Sequence, residues 1–186
     1  MKVSCIQLSS GENYNQNIKD IIKYINKSIN QKADLIITPE TSSIITIDKK
    51  KLQKFSFKMS KDPLIKQIKK ISKKHKKWIL IGSLSIKVGR KLRNRSILIG
   101  PEGNIVKYYD KINMFDVKIK KNEQHNESKI YQAGNKLVTA KLPWGNLGFT
   151  ICYDLRFPEM YRNLSKKNLN FIAVPSAFTK FTGKRR

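Results

Sequence analysis

Three side chains suited to acyl-transfer chemistry stand where apolar runs stop. Glu40 follows Leu35-Ile36-Ile37, Lys111 follows the run from Ile105 to Tyr109, and Cys152 follows Leu147 to Ile151. A carboxylate can take a thiol proton, and an ammonium can stabilise both a thiolate and a tetrahedral oxyanion. In α/β sheets ligands gather in the crevice beyond the carboxyl ends of strands, which is where these three would meet. Cys152 also has a favourable address. The stretch Leu147-Gly148-Phe149-Thr150-Ile151-Cys152-Tyr153-Asp154-Leu155-Arg156-Phe157-Pro158-Glu159 begins as a strand and turns into a helix whose first turn would suit Pro158 and Glu159. Unpaired N–H groups at such a junction can lower a thiol's pKa and hold an oxyanion. Each residue also has a plain alternative: a small buried hydrophobe for Cys152, surface charges for Glu40 and Lys111.

The elements that must position them follow from periodicity. Lys2–Leu8 reads as a strand and Tyr14–Asn30 as a helix, with Ile18, Ile21, Ile22, Ile25 and Ile29 on one face. Ala33–Thr38 is a short apolar strand ending at Pro39-Glu40. Strand, amphipathic helix, strand is a right-handed crossover, so the fold class is α/β. Ser60, as N-cap, and Pro63 open a second helix to Lys74. Trp78–Ile86, broken by Gly82, and Asn94–Gly100 are strands. Pro101-Glu102-Gly103-Asn104 turns the chain into Ile105–Tyr109. Asp116–Gln132 shows no sustained period and is expected to be a surface loop. Leu137–Leu142 and Leu147–Ile151 flank the turn 143–146, Arg156–Lys167 is helical, and Phe171–Val174 is a last strand. With no repeat and no linker, residues 1–186 are expected to form one domain.

Composition narrows the class of function. The formal charge of +26 invites a nucleic-acid reading, but 32 of the 39 basic residues are Lys and 7 are Arg. Specific readers favour the bidentate Arg. Lys here accompanies 25 Ile and 15 Asn, a pattern of AT-rich codons, so no specific nucleic-acid partner is expected. Cys5 and Cys152 form neither a metal-ligand pair nor a disulfide framework, and the chain has no His-Glu-x-x-His, Cys-x-x-Cys or Gly-x-Gly-x-x-Gly. No metal or organic cofactor is expected. No apolar run approaches the ~20 residues of a membrane span, and the N-terminus lacks a signal-peptide block. A cytoplasmic location is the expectation. Cysteine–histidine hydrolysis through His75 or His125 has no supporting signature.

Taken together the motifs resemble the nitrilase superfamily of carbon–nitrogen hydrolases, nearest its deaminated-glutathione amidase and ω-amidase branch. The nucleophile motif resembles residues 151–159, the glutamate motif Thr38-Pro39-Glu40, and the lysine motif Tyr109-Asp110-Lys111-Ile112-Asn113-Met114-Phe115-Asp116-Val117. Asn126-Glu127-Ser128 with Ala133-Gly134 resembles the region of a second glutamate, and Pro175-Ser176-Ala177-Phe178-Thr179 with Thr182-Gly183 a pocket-lining stretch. The resemblance implies an α-β-β-α sandwich, incomplete at the C-terminal end, and, were the domain full-length, a homodimer. It implies that Cys152 attacks a small carboxylate-bearing amide and forms a thioester, with Glu40 as general base. Lys111 and the Tyr153 N–H would stabilise the oxyanion, and Glu127 would orient Lys111 or the leaving amine. Arg156 would hold a substrate carboxylate or else pair with Glu159. Phe115, Ala177 and Phe178 would line the pocket, although the two phenylalanines fit a core equally well. The alternatives are a catalytically inactive fragment of such an enzyme and a basic nucleic-acid-binding protein.

Overall fold

The computed structural model describes residues 1–120 and 123–178. Its elements run β1 (Val3–Cys5), α1 (Tyr14–Asn30), β2 (Leu35–Ile37), α2 (Lys49–Lys54), α3 (Pro63–His75), β3 (Trp78–Val88), β4 (Lys91–Ile99) and β5 (Ile105–Asp110). They continue with β6 (Asp116–Lys120), β7 (Glu123–Asn126), β8 (Thr139–Leu142), β9 (Gly145–Phe149), α4 (Pro158–Ser165) and β10 (Phe171–Ala173). One sheet has the order β1-β2-β3-β4-β5, parallel through β3 and antiparallel beyond; a second has the order β10-β9-β8, and β6 pairs with β7. This is a mixed α/β architecture, as the crossover pattern predicts.

Period-2 alternation decides which residues face which layer. In β2, β3 and β4 the side chains Ile36, Ile79, Ile81, Ile97 and Ile99 point to one face, where Ile21, Ile25, Leu64, Ile65 and Ile68 of α1 and α3 cover them. Leu35, Leu80 and Leu98 point to the other face, against Leu147, Phe149 and Ile151 of the second sheet and Met160 and Leu164 of α4. Both faces of the sheet are thus buried at its middle strands, so Leu35–Ile37, Trp78–Ile81 and Ile97–Ile99 read as unbroken apolar runs. Asn13 caps α1 by accepting from Gln16 N, and lysines 19, 23 and 27 on its outer face are exposed, as on a solvated helix.

Three local expectations change. Asp62, not Ser60, caps α3: its carboxylate accepts from Ile65 N at 3.0 Å and Pro63 takes the first helical position. Part of 116–132 is not loop but the β6–β7 hairpin, with Val117 opposite His125; the alternation of β6 lasts only five residues and β7 has no apolar residue to continue it. The helix expected at 156–167 begins at Pro158, because the residue before a proline avoids helical backbone; Phe157 is extended, and Cys152–Arg156 forms a separate 3-10 turn. The break expected at Gly82 takes the form of a bulge between Ile81 and Leu84, within a strand that runs on to Val88. A Cβ on Gly82 would press on the carbonyl oxygens of Thr38 and Pro39 and on the Pro175 side chain, far inside contact distance. Thr179, Thr182 and Gly183 lie outside the described residues. No helix among the described residues is long and apolar enough to cross a membrane.

Candidate active site

Glu40 is delivered by the turn after β2. Thr38 Oγ1 accepts from Gly82 N at 3.0 Å and Ser83 Oγ from Thr41 N at 2.8 Å, so the turn is pinned to β3 from below. Thr41 has a positive φ of 46°, a left-handed conformation held by those bonds. Lys111 leaves the end of β5 with its backbone held from both sides: its N–H donates to Asn94 O at 2.9 Å, and its carbonyl accepts from Gly134 N at 2.8 Å. Cys152 opens the 3-10 turn after β9. Its own φ is +47°, and its N–H donates to Pro175 O at 3.0 Å, tying the turn to the segment after β10.

Those three elements and the end of β7 converge on one buried charge cluster. The Lys111 ammonium donates to Glu40 Oε1 at 2.9 Å and to Glu127 Oε2 at 2.8 Å, with Lys111 only 2% exposed. Asn94 Nδ2 donates to Glu40 Oε1 at 3.0 Å and to Glu127 Oε1 at 2.9 Å, bridging the two carboxylates. Glu40 Oε2 accepts from Ala177 N at 3.0 Å, and Glu127 Oε2 from Phe115 N at 2.7 Å. One cation thus serves two anions, and backbone and amide donors supply the rest. Burial alone would lower the Lys111 pKa, but Glu40 and Glu127 overcome it and raise it, so the ammonium stays charged.

The thiol departs from expectation. Burial, then the negative charge of Glu40, push the Cys152 pKa up to about 12, against a smaller downward pull from Lys111. The strand-to-turn junction therefore does not hold a preformed thiolate. Both leading causes favour the neutral form, so the thiolate fraction at neutral pH is small and grows about tenfold per pH unit. In a Cys5→Ser background, iodoacetamide labelling of Cys152 is expected to be slow near neutrality and still rising at about pH 10. A labelling rate that levels off below about pH 8 would contradict this picture.

Cys152, Glu40, Lys111 and Glu127 border one cavity of about 670 Å³, together with Asn94, Phe115, Tyr153, Ala177 and Phe178. Ile44, Ile45, Ile47 and Leu52 make much of its remaining wall. Phe115 meets the Tyr153 ring edge-on, centroids 5.0 Å apart. Arg156 is not among the lining residues. It is exposed at the end of the 3-10 turn, and Glu159 pairs with Arg162 instead. Two buried residues escaped the sequence reading. Asn94 looked like one more strand residue. Asp154, fully buried, accepts from Tyr109 Oη and Ile151 N through Oδ2, each at 2.8 Å, and from Asn113 N and Nδ2 through Oδ1, each at 2.9 Å.

The chain is similar to known proteins over nearly its whole length. Residues 2–184 match the family model described as carbon-nitrogen hydrolase. The chain is 35% identical over 186 residues to a deaminated glutathione amidase of Yersinia enterocolitica, covering 97% of this chain and 64% of that protein. It is 33% identical over 185 residues to one of Dictyostelium discoideum, covering 95% and 64%. The crystal structure of the C. elegans NitFhit protein superimposes with a TM-score of 0.86 at 25% identity, over 98% of this chain and 45% of that one. The chain thus spans a little under two thirds of the length of the curated relatives it matches.

Proposed function

Because the chain belongs to the carbon–nitrogen hydrolase family, we propose that it hydrolyses the C–N bond of a small amide through a thioester on Cys152 and releases ammonia. The observation that carries this reading is the buried ammonium of Lys111, held between Glu40 and Glu127 on the wall of the cavity that Cys152 also borders.

The resting thiol is neutral, so its proton must leave as it attacks. Glu40, whose negative charge acts on the thiol across the shared cavity, takes that proton while Sγ forms a bond to the amide carbon. The carbonyl electrons move onto oxygen. The Lys111 ammonium, with two N–H groups already bound to carboxylates, turns its third toward this oxyanion, joined by the Tyr153 N–H. Collapse breaks the C–N bond, and the proton from Glu40 goes to the departing nitrogen as ammonia. Water then gives a proton to Glu40 and attacks the thioester; the C–S bond breaks and sulfur recovers its proton. Glu127 keeps Lys111 in place. Tyr153, Phe115, Ala177 and Phe178 shape the acyl pocket, and the aliphatic wall favours a compact acyl group. Arg156, outside the cavity, is not the group that would read a carboxylate on the substrate.

The test is an acid-quenched reaction with a panel of small ω-monoamides and deaminated glutathione. Ammonia release should accompany an acyl mass on the peptide carrying Cys152. Turnover with no such adduct, or no ammonia from any member, would overturn the reading.

A further inference from the structure

Asp154 lies two residues beyond Cys152, fully buried, and pairs with no cation among the described residues. Its charge is held by dipoles alone. Four donors saturate it, and three of them come from Tyr109 and Asn113, which stand two residues to either side of Lys111. The fourth is the N–H of Ile151, immediately before the nucleophile. Tyr109 Oη extends the clasp, accepting from Ile112 N at 3.1 Å while it donates to Asp154. Burial, then the neighbouring Asp154 charge, raise the Tyr109 pKa, so its hydroxyl stays protonated and able to donate.

We propose that Asp154 is a positioning residue: it clasps the segment 109–113 to the turn at 152–156 and so sets where the Lys111 ammonium stands relative to Cys152 Sγ. The inference rests on the amidase reading above. Neither segment is tied to the other by sheet pairing, because β5 belongs to one sheet and β9 to the other. The carboxylate is therefore a polar tether across the layer boundary at the level of the site. It also holds a strained turn, since Cys152 adopts a φ that non-glycine residues rarely take. An asparagine could not replace it. Its single oxygen accepts on one side only, and its NH2 would face a backbone N–H on the other, from Ile151 or from Asn113.

The test compares Tyr109→Phe and Asp154→Asn with Ile25→Val, a core change on the buried face of α1. For the best amide substrate, Tyr109→Phe should lower kcat about tenfold and Asp154→Asn about a hundredfold, with KM within about twofold. Loosening the turn relieves the burial of the thiol, so iodoacetamide labelling of Cys152 should accelerate in both variants and not in Ile25→Val. If kcat and labelling match the parent chain while only the unfolding midpoint falls, Asp154 is a packing element and the proposal is wrong. Should Asp154→Asn not fold, Tyr109→Phe decides alone, because its ring stays in the core. If no amide is hydrolysed yet labelling accelerates as described, the clasp stands and the amidase reading falls. Hydrolysis with unchanged kcat and labelling does the reverse.

Discussion

Lys111→Met is expected to lower amide turnover by at least about a thousandfold and folding stability by roughly 3–5 kcal/mol. The catalytic loss follows from the proposed oxyanion contact and from the disorder left around Glu40. The stability loss has a separate origin. With the ammonium gone, Glu40 and Glu127 face each other across Asn94 with two negative charges and no positive one, and burial leaves little water to screen them. A companion variant separates the two effects. Lys111→Met combined with Glu127→Gln removes one of the stranded charges and should recover about half of the lost stability, while turnover stays as low as in the single variant. Urea denaturation and ammonia release measure the two quantities. A single variant as stable as the parent chain would mean that the cluster is not electrostatically closed.

Gly82→Ala is the second change with a large expected effect, at a residue that carries no chemistry. The added methyl would collide with two backbone carbonyls of the turn bearing Glu40 and with Pro175, whose carbonyl holds Cys152 N. None of these is the far end of a flexible side chain that could swing away. The expected loss is about 3 kcal/mol of stability. Displacing Glu40 by a fraction of an ångström to an ångström should cost about a hundredfold in turnover as well. Gly11→Ala is the control: its Cβ would meet no atom within 4 Å, and both quantities should stay near the parent values. Equal behaviour of the two variants would show that the approach of Pro175 and the Glu40 turn to β3 is looser than the structure has it.

Much of this was legible from residue order. Glu40, Lys111 and Cys152 each follow an apolar run closely, and a strand end in a sheet covered on both faces is a place the chain leaves pointing at a crevice. The alternation that assigns Ile36 to the helices and Leu35 to the second sheet could not be read, because a strand buried on both sides shows no polar face. Glu127 was named, yet the hairpin before it was not, since β6 alternates for only five residues and β7 is polar throughout. Asn94 and Asp154 were invisible for a different reason. A polar residue in a strand or turn looks like surface until its partners are known, and theirs are up to 54 positions away. Arg156 stands exposed on a 3-10 turn instead of in a helix, because Pro158, two residues on, starts the helix later than the period suggested.

The protonated state of Cys152 has a consequence for survival in an oxidising cell. Thiolates, not thiols, attack peroxide and disulfides and are oxidised by them, so susceptibility follows thiolate character and exposure. A sulfur kept neutral by burial and a neighbouring carboxylate is a poor target for them between turnovers. It becomes nucleophilic only when a carbonyl carbon is close enough to accept it as Glu40 takes the proton. Exposed Cys5 has no such protection from burial and stands open to the same reagents. The same burial that makes this nucleophile slow to ionise would thus let it last.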